Sequence, residues 1–223
     1  LIAFNNGYVF DSSLMTFREA TKDDYVSMTT GYDYNPIRNS DVEEEIHTFF
    51  CQVLRNKLKR ECFLTCLSTA LEAGNNHNII LLMTGVGSNG KSVTSNLIEK
   101  TLGDYAGVLP PEYFTTTTAR AGNAKSELYN VMKCRWVVFR EPERSSTSSH
   151  KITFNSTKAN ELTGNTALPV RDLYEKPENM VPAFVLVGEL NEMPTIQDRS
   201  QAIKRRLKNI VFDSRFVEKP RKS

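Results

Sequence analysis

Lys91 and Ser92, preceded by glycines at 85, 87 and 90, are the residues of this chain best suited to hold a phosphate. They lie in IILLMTGVGSNGKSVTSNLIEKTLG, residues 79–103, which satisfies two phosphate-binding patterns at once. Gly85, Gly87 and Gly90 spell the G-x-G-x-x-G of a dinucleotide site; Gly85, Gly90, Lys91 and Ser92 spell the G-x-x-x-x-G-K-[ST] of a triphosphate loop. The flanks separate the two. A dinucleotide site needs an acid about 20 residues further on, at the end of the next strand. That distance falls near Pro110 and Pro111, and the neighbouring Glu112 has no convincing strand before it. A triphosphate loop needs a lysine to neutralise the β- and γ-phosphates and a small hydroxyl residue to ligate Mg²⁺. Both are present. Gly85, Val86, Gly87, Ser88, Asn89, Gly90, Lys91, Ser92 and Val93 are therefore the expected cradle for a nucleoside triphosphate with its Mg²⁺.

Hydrolysis also requires a carboxylate at the end of a neighbouring strand, near the metal and the attacking water. WVVFREPE supplies Glu141 directly after an apolar run, with Glu143 two residues later. An acidic pair would sit side by side, but here Arg140 fills the first place, so Glu141 is assigned to water and metal and Glu143 a lesser share. FVLVGELNEMPTI puts Asn191 just past another buried run, where an amide would bond both γ-phosphate and water. Glu189 is a second polar candidate beside it. In SQAIKRRLKNIVF, Arg205 and Arg206 precede a last strand, and an arginine brought to a neighbouring subunit's γ-phosphate would stabilise transition-state charge.

These groups need a scaffold. Residues 79–83, 135–139, 183–190 and 209–212 are short apolar runs of the kind buried on both faces of a parallel sheet. Val93, Leu97, Ile98 and Leu102 recur at helical spacing, and Gly103 stops that helix. The alternation of strand and helix predicts an α/β P-loop core over 75–223. Ahead of it, residues 1–39 read as small strands and turns and 40–74 as a helical pair. Ser40 and Glu43 make a capping box followed by the stripe Ile46, Phe49, Phe50, Val53, Leu54 and Leu58. The second stripe, Phe63, Cys66, Leu67, Ala70 and Leu71, ends at Gly74. Residues 115–127 and 143–151 are polar loops, the latter mobile by composition. Lys158, the turn Gly164-Asn165 and then Thr166 to Arg171 read as a helix end and a hairpin carrying positive charge.

The bulk properties limit the choices. With 223 residues, 39% hydrophobic and 24% charged, the chain can bury a full core. No apolar run is long enough to span a membrane. The net charge of +2 argues neither for nor against nucleic acid, although KRRLK at 204–208 and RFVEKPRK at 215–222 gather cations near the C-terminus. Four cysteines without a C-x-x-C pair, with Cys62 and Cys66 at helical spacing, read as small core residues of a reducing compartment. Three scattered histidines make no zinc site. The start at Leu1, without methionine or leader, is expected of a fragment.

In order, the chain carries GVGSNGKS, FREPE, KANELTGNTALPVRDLY, GELNEMP and AIKRRLKNIVF, with NNGYVFD and TTGYDYNP ahead of them. Over nearly its whole length it thereby resembles the superfamily 3 helicases of DNA viruses. It is most similar to the helicase half of the primase-helicases of large cytoplasmic DNA viruses, of poxvirus and African swine fever virus type. The resemblance implies an AAA+-like fold and a hexameric ring with ATP at subunit interfaces. It implies translocation on single-stranded DNA, unwinding of forked DNA, and viral replication proteins as partners in the host-cell cytoplasm, away from membranes. A primase would lie upstream of Leu1. Arg206, next to Leu207, is the implied arginine finger, with Arg205 second. Lys158, Asn165, Thr166 and Arg171 are the implied DNA contacts, although Thr163-Gly164-Asn165-Thr166 stands where the family has Thr-Gly-Gly-Asp. Two other readings stay open: an ATP-gated DNA loader or remodeller, and a small-molecule P-loop kinase.

Overall fold

The computed structural model describes residues 1–72, 74, 76–115, 126–141, 153–172, 174–198 and 200–218. Strands β1 (Ile2–Ala3), β2 (Tyr8–Asp11) and β3 (Thr16–Glu19) form an antiparallel meander, the small strands expected of this region. Helices α1 (Ser40–Val53) and α2 (Lys57–Ser68) follow. Asparagines cap both: Asn39 accepts from the Asp41 and Val42 amides, and Asn56 from that of Lys59. The capping box expected from Ser40 and Glu43 is not formed, because Ser40 is already inside the helix and Glu43 pairs with Arg38. Both Asn and Ser are good caps, and the one placed a residue earlier takes the role. Leu58 falls on α2 and is 75% exposed, and Cys62 is exposed while Cys66 is buried.

The remaining elements are β4 (Ile80–Thr84), α3 (Lys91–Leu102), β5 (Ala106–Val108), α4 (Glu112–Thr115), α5 (Ser126–Val131), β6 (Trp136–Arg140) and β7 (Thr153–Phe154). After them come α6 (Ser156–Leu162), β8 (Leu168–Val170), β9 (Glu178–Met180), β10 (Val185–Leu190), β11 (Thr195–Ile196), α7 (Gln201–Arg206) and β12 (Leu207–Val211). Five strands make one all-parallel sheet in the order β12-β4-β10-β6-β5, which bears out the α/β reading. Successive side chains point to opposite faces, so the sheet feeds two cores. Leu81, Met83, Trp136, Val138, Val185 and Val187 face α1, α2 and α3. Ile80, Leu82, Val137, Phe139 and Leu186 face α5, α6 and α7. Covering both faces is why the central strands read as unbroken apolar runs. The helical pair thus shares its core with the sheet.

A strand does precede Glu112. β5 pairs in parallel with β6, but its three residues, one of them Gly107, give no apolar run to read. The expected hairpin is present as the antiparallel pair β8–β9. Residues 116–125 and 143–151, and with them Glu143, lie outside the described residues, and Ser126 already begins α5. Among the described residues no helix is long and apolar enough to cross a membrane.

Candidate active site

The glycine loop connects the C-terminal end of β4 to the start of α3. Its shape depends on two glycines. Gly85 has φ +151° and a Cβ there would lie 2.4 Å from both the Asn89 side chain and the Phe212 carbonyl oxygen. Gly90 has φ +84° and a Cβ would meet Val53 Cγ2 at 2.8 Å. A strap formed by the residues after β12 supports the loop from behind. Asn89 Nδ2 donates to the Phe212 carbonyl (3.1 Å), and the Phe216 amide donates to that of Ser88 (2.7 Å). Ser214 Oγ lies 2.7 and 3.0 Å from the Gln52 and Val53 carbonyls, which ties the strap to α1.

The N-cap of α3, Gly90, has no side chain to cap with, and Asn89 Oδ1 takes the Lys91 amide alone (3.2 Å), whereas Asn39, Asn56, Asn155 and Ser200 cap α1, α2, α6 and α7. A helix start next to a glycine loop with no cap from its own N-cap residue leaves further N–H groups for an anion. Lys91, only 6% exposed, donates Nζ to the carbonyls of Gly85 (2.9 Å) and Leu190 (2.6 Å). Burial pulls its ammonium below the ordinary lysine value, opposed by the negative charges of Glu189 and Glu141. Val93, expected on the apolar stripe of α3, is instead 59% exposed and lines the cleft.

Parallel pairing brings the other groups to the same end of the sheet. β10 lies between β4 and β6, with Glu189 in register with Met83 on one side and Arg140 on the other. Arg140, Glu141, Glu189 and Asn191 face Gly87–Val93 across a cleft of about 370 Å³. The Asn191 amide donates to Glu141 Oε2 (2.5 Å), and the Glu141 amide donates to the Glu189 carbonyl (2.9 Å). Ser92 Oγ donates to Glu189 Oε1 (2.6 Å). Arg140 Nε donates to Glu189 Oε2 (3.3 Å), and its Nη2 pairs with Glu99. Lys91, Ser92, Glu141 and Asn191, singled out from sequence, therefore meet in one cleft. Glu99 was not singled out. Its place seven residues after Ser92, two turns along α3 and so on the same side of the helix, is the signal that carries it.

Among the described residues no group of three or more His, Cys, Asp or Glu forms a cage for a metal. Mg²⁺ in nucleotide sites uses one or two carboxylates together with phosphate oxygens and water. The Ser92 hydroxyl with Glu189 and Glu141 fits that donor chemistry.

The arginine pair lies elsewhere. Leu207 pairs with Ile80, at the far end of the strand from the glycine loop. The pair is therefore separated from its own loop by roughly 13 Å of strand, at about 3.3 Å per residue. Arg205 is exposed. Arg206 Nη1 donates to the Asn160 carbonyl and side chain, both at 3.0 Å, near the end of α6. Burial, with Arg205 adding to it, pulls the Arg206 guanidinium below its ordinary value. On α6, Lys158 pairs with Glu161 at 2.9 Å. Asn165, at φ +54°, and Thr166 are exposed in the turn after α6, and Arg171 is exposed just past β8. Within the expected stretch 163–171 Arg171 is the one charged side chain, and the chain leading into β9 adds Lys176 together with Asp172, Glu175 and Glu178.

No family model matches the chain. Its sequence is 33% identical over 223 residues to "Putative helicase 121R" of Invertebrate iridescent virus 3, covering 97% of this chain and 23% of that protein. It is 34% identical over 222 residues to a "Putative helicase" of Acanthamoeba polyphaga mimivirus, covering 98% of this chain and 22% of that protein. The chain spans less than a quarter of the length of these curated relatives. Among solved structures, the apo C-terminal region of NrS-1 superposes with a TM-score of 0.56 at 13% identity, over 76% of this chain and 38% of that one. The chain has a P-loop NTPase-like α/β fold, and its sequence is similar to a segment of helicase-named proteins of these viruses.

Proposed function

We propose that this chain is the ATP-driven motor region of a DNA helicase, of superfamily 3 type, that works in viral genome replication. The observation that carries the reading is the meeting of Lys91 and Ser92 with Glu141 and Asn191, from two neighbouring strands, in a single cleft. Each has a chemical role. Lys91 exchanges its two carbonyl partners for phosphate oxygens; Ser92, Glu189 and Glu141 are the groups that would hold Mg²⁺. The metal, when bound, neutralises phosphate charge. Glu141 takes a proton from water, and Asn191 orients water against the γ-phosphate.

The arginines suit a ring of subunits. Placed at the far end of the sheet, neither reaches its own cleft, so an arginine that acts in hydrolysis must act on a neighbouring subunit's nucleotide. Arg206 is committed to Asn160, which makes the exposed Arg205 the better finger and reverses the order that the family resemblance implies. Single-stranded DNA is assigned to Lys158, Asn165, Thr166 and Arg171, and a hexamer, viral replication partners and the host cytoplasm belong to the same proposal.

The test is ATP hydrolysis by the chain with and without single-stranded DNA, and strand displacement on a forked duplex, each against Lys91→Ala. DNA-stimulated hydrolysis and displacement, both absent in the variant, are expected. Hydrolysis that DNA does not stimulate would remove the helicase reading; stimulation without displacement would make the chain a loader or remodeller.

A further inference from the structure

Arg140 stands where a second carboxylate was expected beside Glu141, and it turns towards a carboxylate on the next strand. Glu189 belongs to β10, in which all six residues are buried, and is itself 6% exposed. A buried carboxylate costs several kcal/mol unless it is paired, and apolar packing in β10 gives no reason for one. Among the described residues two side chains donate hydrogen bonds to the Glu189 carboxylate. Ser92 Oγ donates to one of its oxygens at 2.6 Å, and Arg140 Nε donates to the other at 3.3 Å. Arg140 is in turn held from α3 by Glu99, so that Ser92 and Glu99 of one helix reach Glu189 along two routes. Because the Ser92 hydroxyl gives its only proton to Glu189, its lone pairs remain available to a cation.

We propose that Glu189 is the positioning residue for the metal side of this site, with Arg140 and Glu99 fixing its carboxylate. It orients the Ser92 hydroxyl and accepts hydrogen bonds from the water shell of a nucleotide-bound divalent cation. On the metal side Glu189 of β10 thus joins Glu141, which follows β6, and Arg140 is the residue that holds Glu189 in place. The inference rests on the triphosphate reading above.

Binding of a fluorescent, non-hydrolysable ATP analogue, measured in EDTA and then along a Mg²⁺ titration, tests it. Groups that orient metal ligands change metal affinity about 10–100-fold when removed. Glu189→Gln, which keeps an oxygen for Ser92 but loses the charge, should raise the Mg²⁺ concentration at half-effect by about that factor. Its affinity in EDTA should be unchanged or slightly tighter, since a negative charge beside the phosphates is gone. Arg140→Gln, at a 40% exposed side chain, should shift the midpoint in the same direction by less. The double variant should be no worse than Glu189→Gln alone, because Arg140 acts through Glu189. A Glu189→Gln protein that follows Mg²⁺ as the wild type does, even if it melts earlier, overturns the proposal. If Glu189→Gln does not fold, an unmoved midpoint in Arg140→Gln overturns it. A wild-type chain that binds no analogue in either condition would instead overturn the triphosphate reading, and this one with it.

Discussion

Lys91 and Glu141 are both already engaged in this structure. The ammonium sits on the Gly85 and Leu190 carbonyls and the Glu141 carboxylate on the Asn191 amide. A bound triphosphate must therefore compete with backbone carbonyls for Lys91, and water or Mg²⁺ with a backbone N–H for Glu141. Lys91→Ala removes the charge that wins this competition, and a hydrogen bond to a charged group contributes roughly 1.5–3 kcal/mol. Triphosphate affinity should fall at least about tenfold and hydrolysis to background, read by analogue binding and phosphate release. Glu141→Gln keeps the acceptor for the Asn191 amide and loses the base. Nucleotide should still bind while hydrolysis slows by about 10²–10⁴. Normal hydrolysis by Glu141→Gln would transfer the role of base to another acid, with Glu143 the first to try.

The glycine loop, strand ends and strap work as one element, and the loop's two required glycines can be tested against the third. Gly85→Ala would push a methyl group into the Phe212 backbone carbonyl, which cannot rotate away. Strain of this kind costs about 1–3 kcal/mol, visible as a lower melting temperature. Gly87 has no heavy atom within 4 Å of an added Cβ, so Gly87→Ala should melt like the wild type. At this scale much was legible in the sequence. Three of the four apolar runs became β4, β6 and β10, because a strand covered on both faces has to be apolar throughout; the fourth falls on the edge strand β12, where Ile210 alone is buried. The loop and Glu141 followed from their flanks. What spacing could not convey is which partners meet across the sheet. Glu189 is conspicuous as the one carboxylate in VLVGEL, yet the serine that explains it lies 97 residues earlier. The strap behind the loop carries no motif at all, and β5 is too short to leave a pattern.

For the whole molecule, the distance between the arginine pair and the cleft of the same chain predicts complementation. Mixing Lys91→Ala with Arg205→Ala in equal amounts should restore about a quarter of the interfaces, each with a sound loop from one subunit and a sound arginine from its neighbour. ATPase should return in proportion, and Arg206→Ala should fail to complement if its work is to hold α6. No recovery with either arginine variant at any ratio would mean that neither acts across an interface. The strap has a different consequence, for the order in which the protein is made. Asn89 waits for the carbonyl of Phe212, 123 residues later, and α1 waits for Ser214, 162 residues after Gln52. Domains fold as their chains emerge from the ribosome, but here the loop that would hold the fuel is shaped by a residue made 123 positions after Asn89. A nascent chain halted before Leu207 should bind no triphosphate, and nucleotide binding would then mark a chain made at least through Ser214.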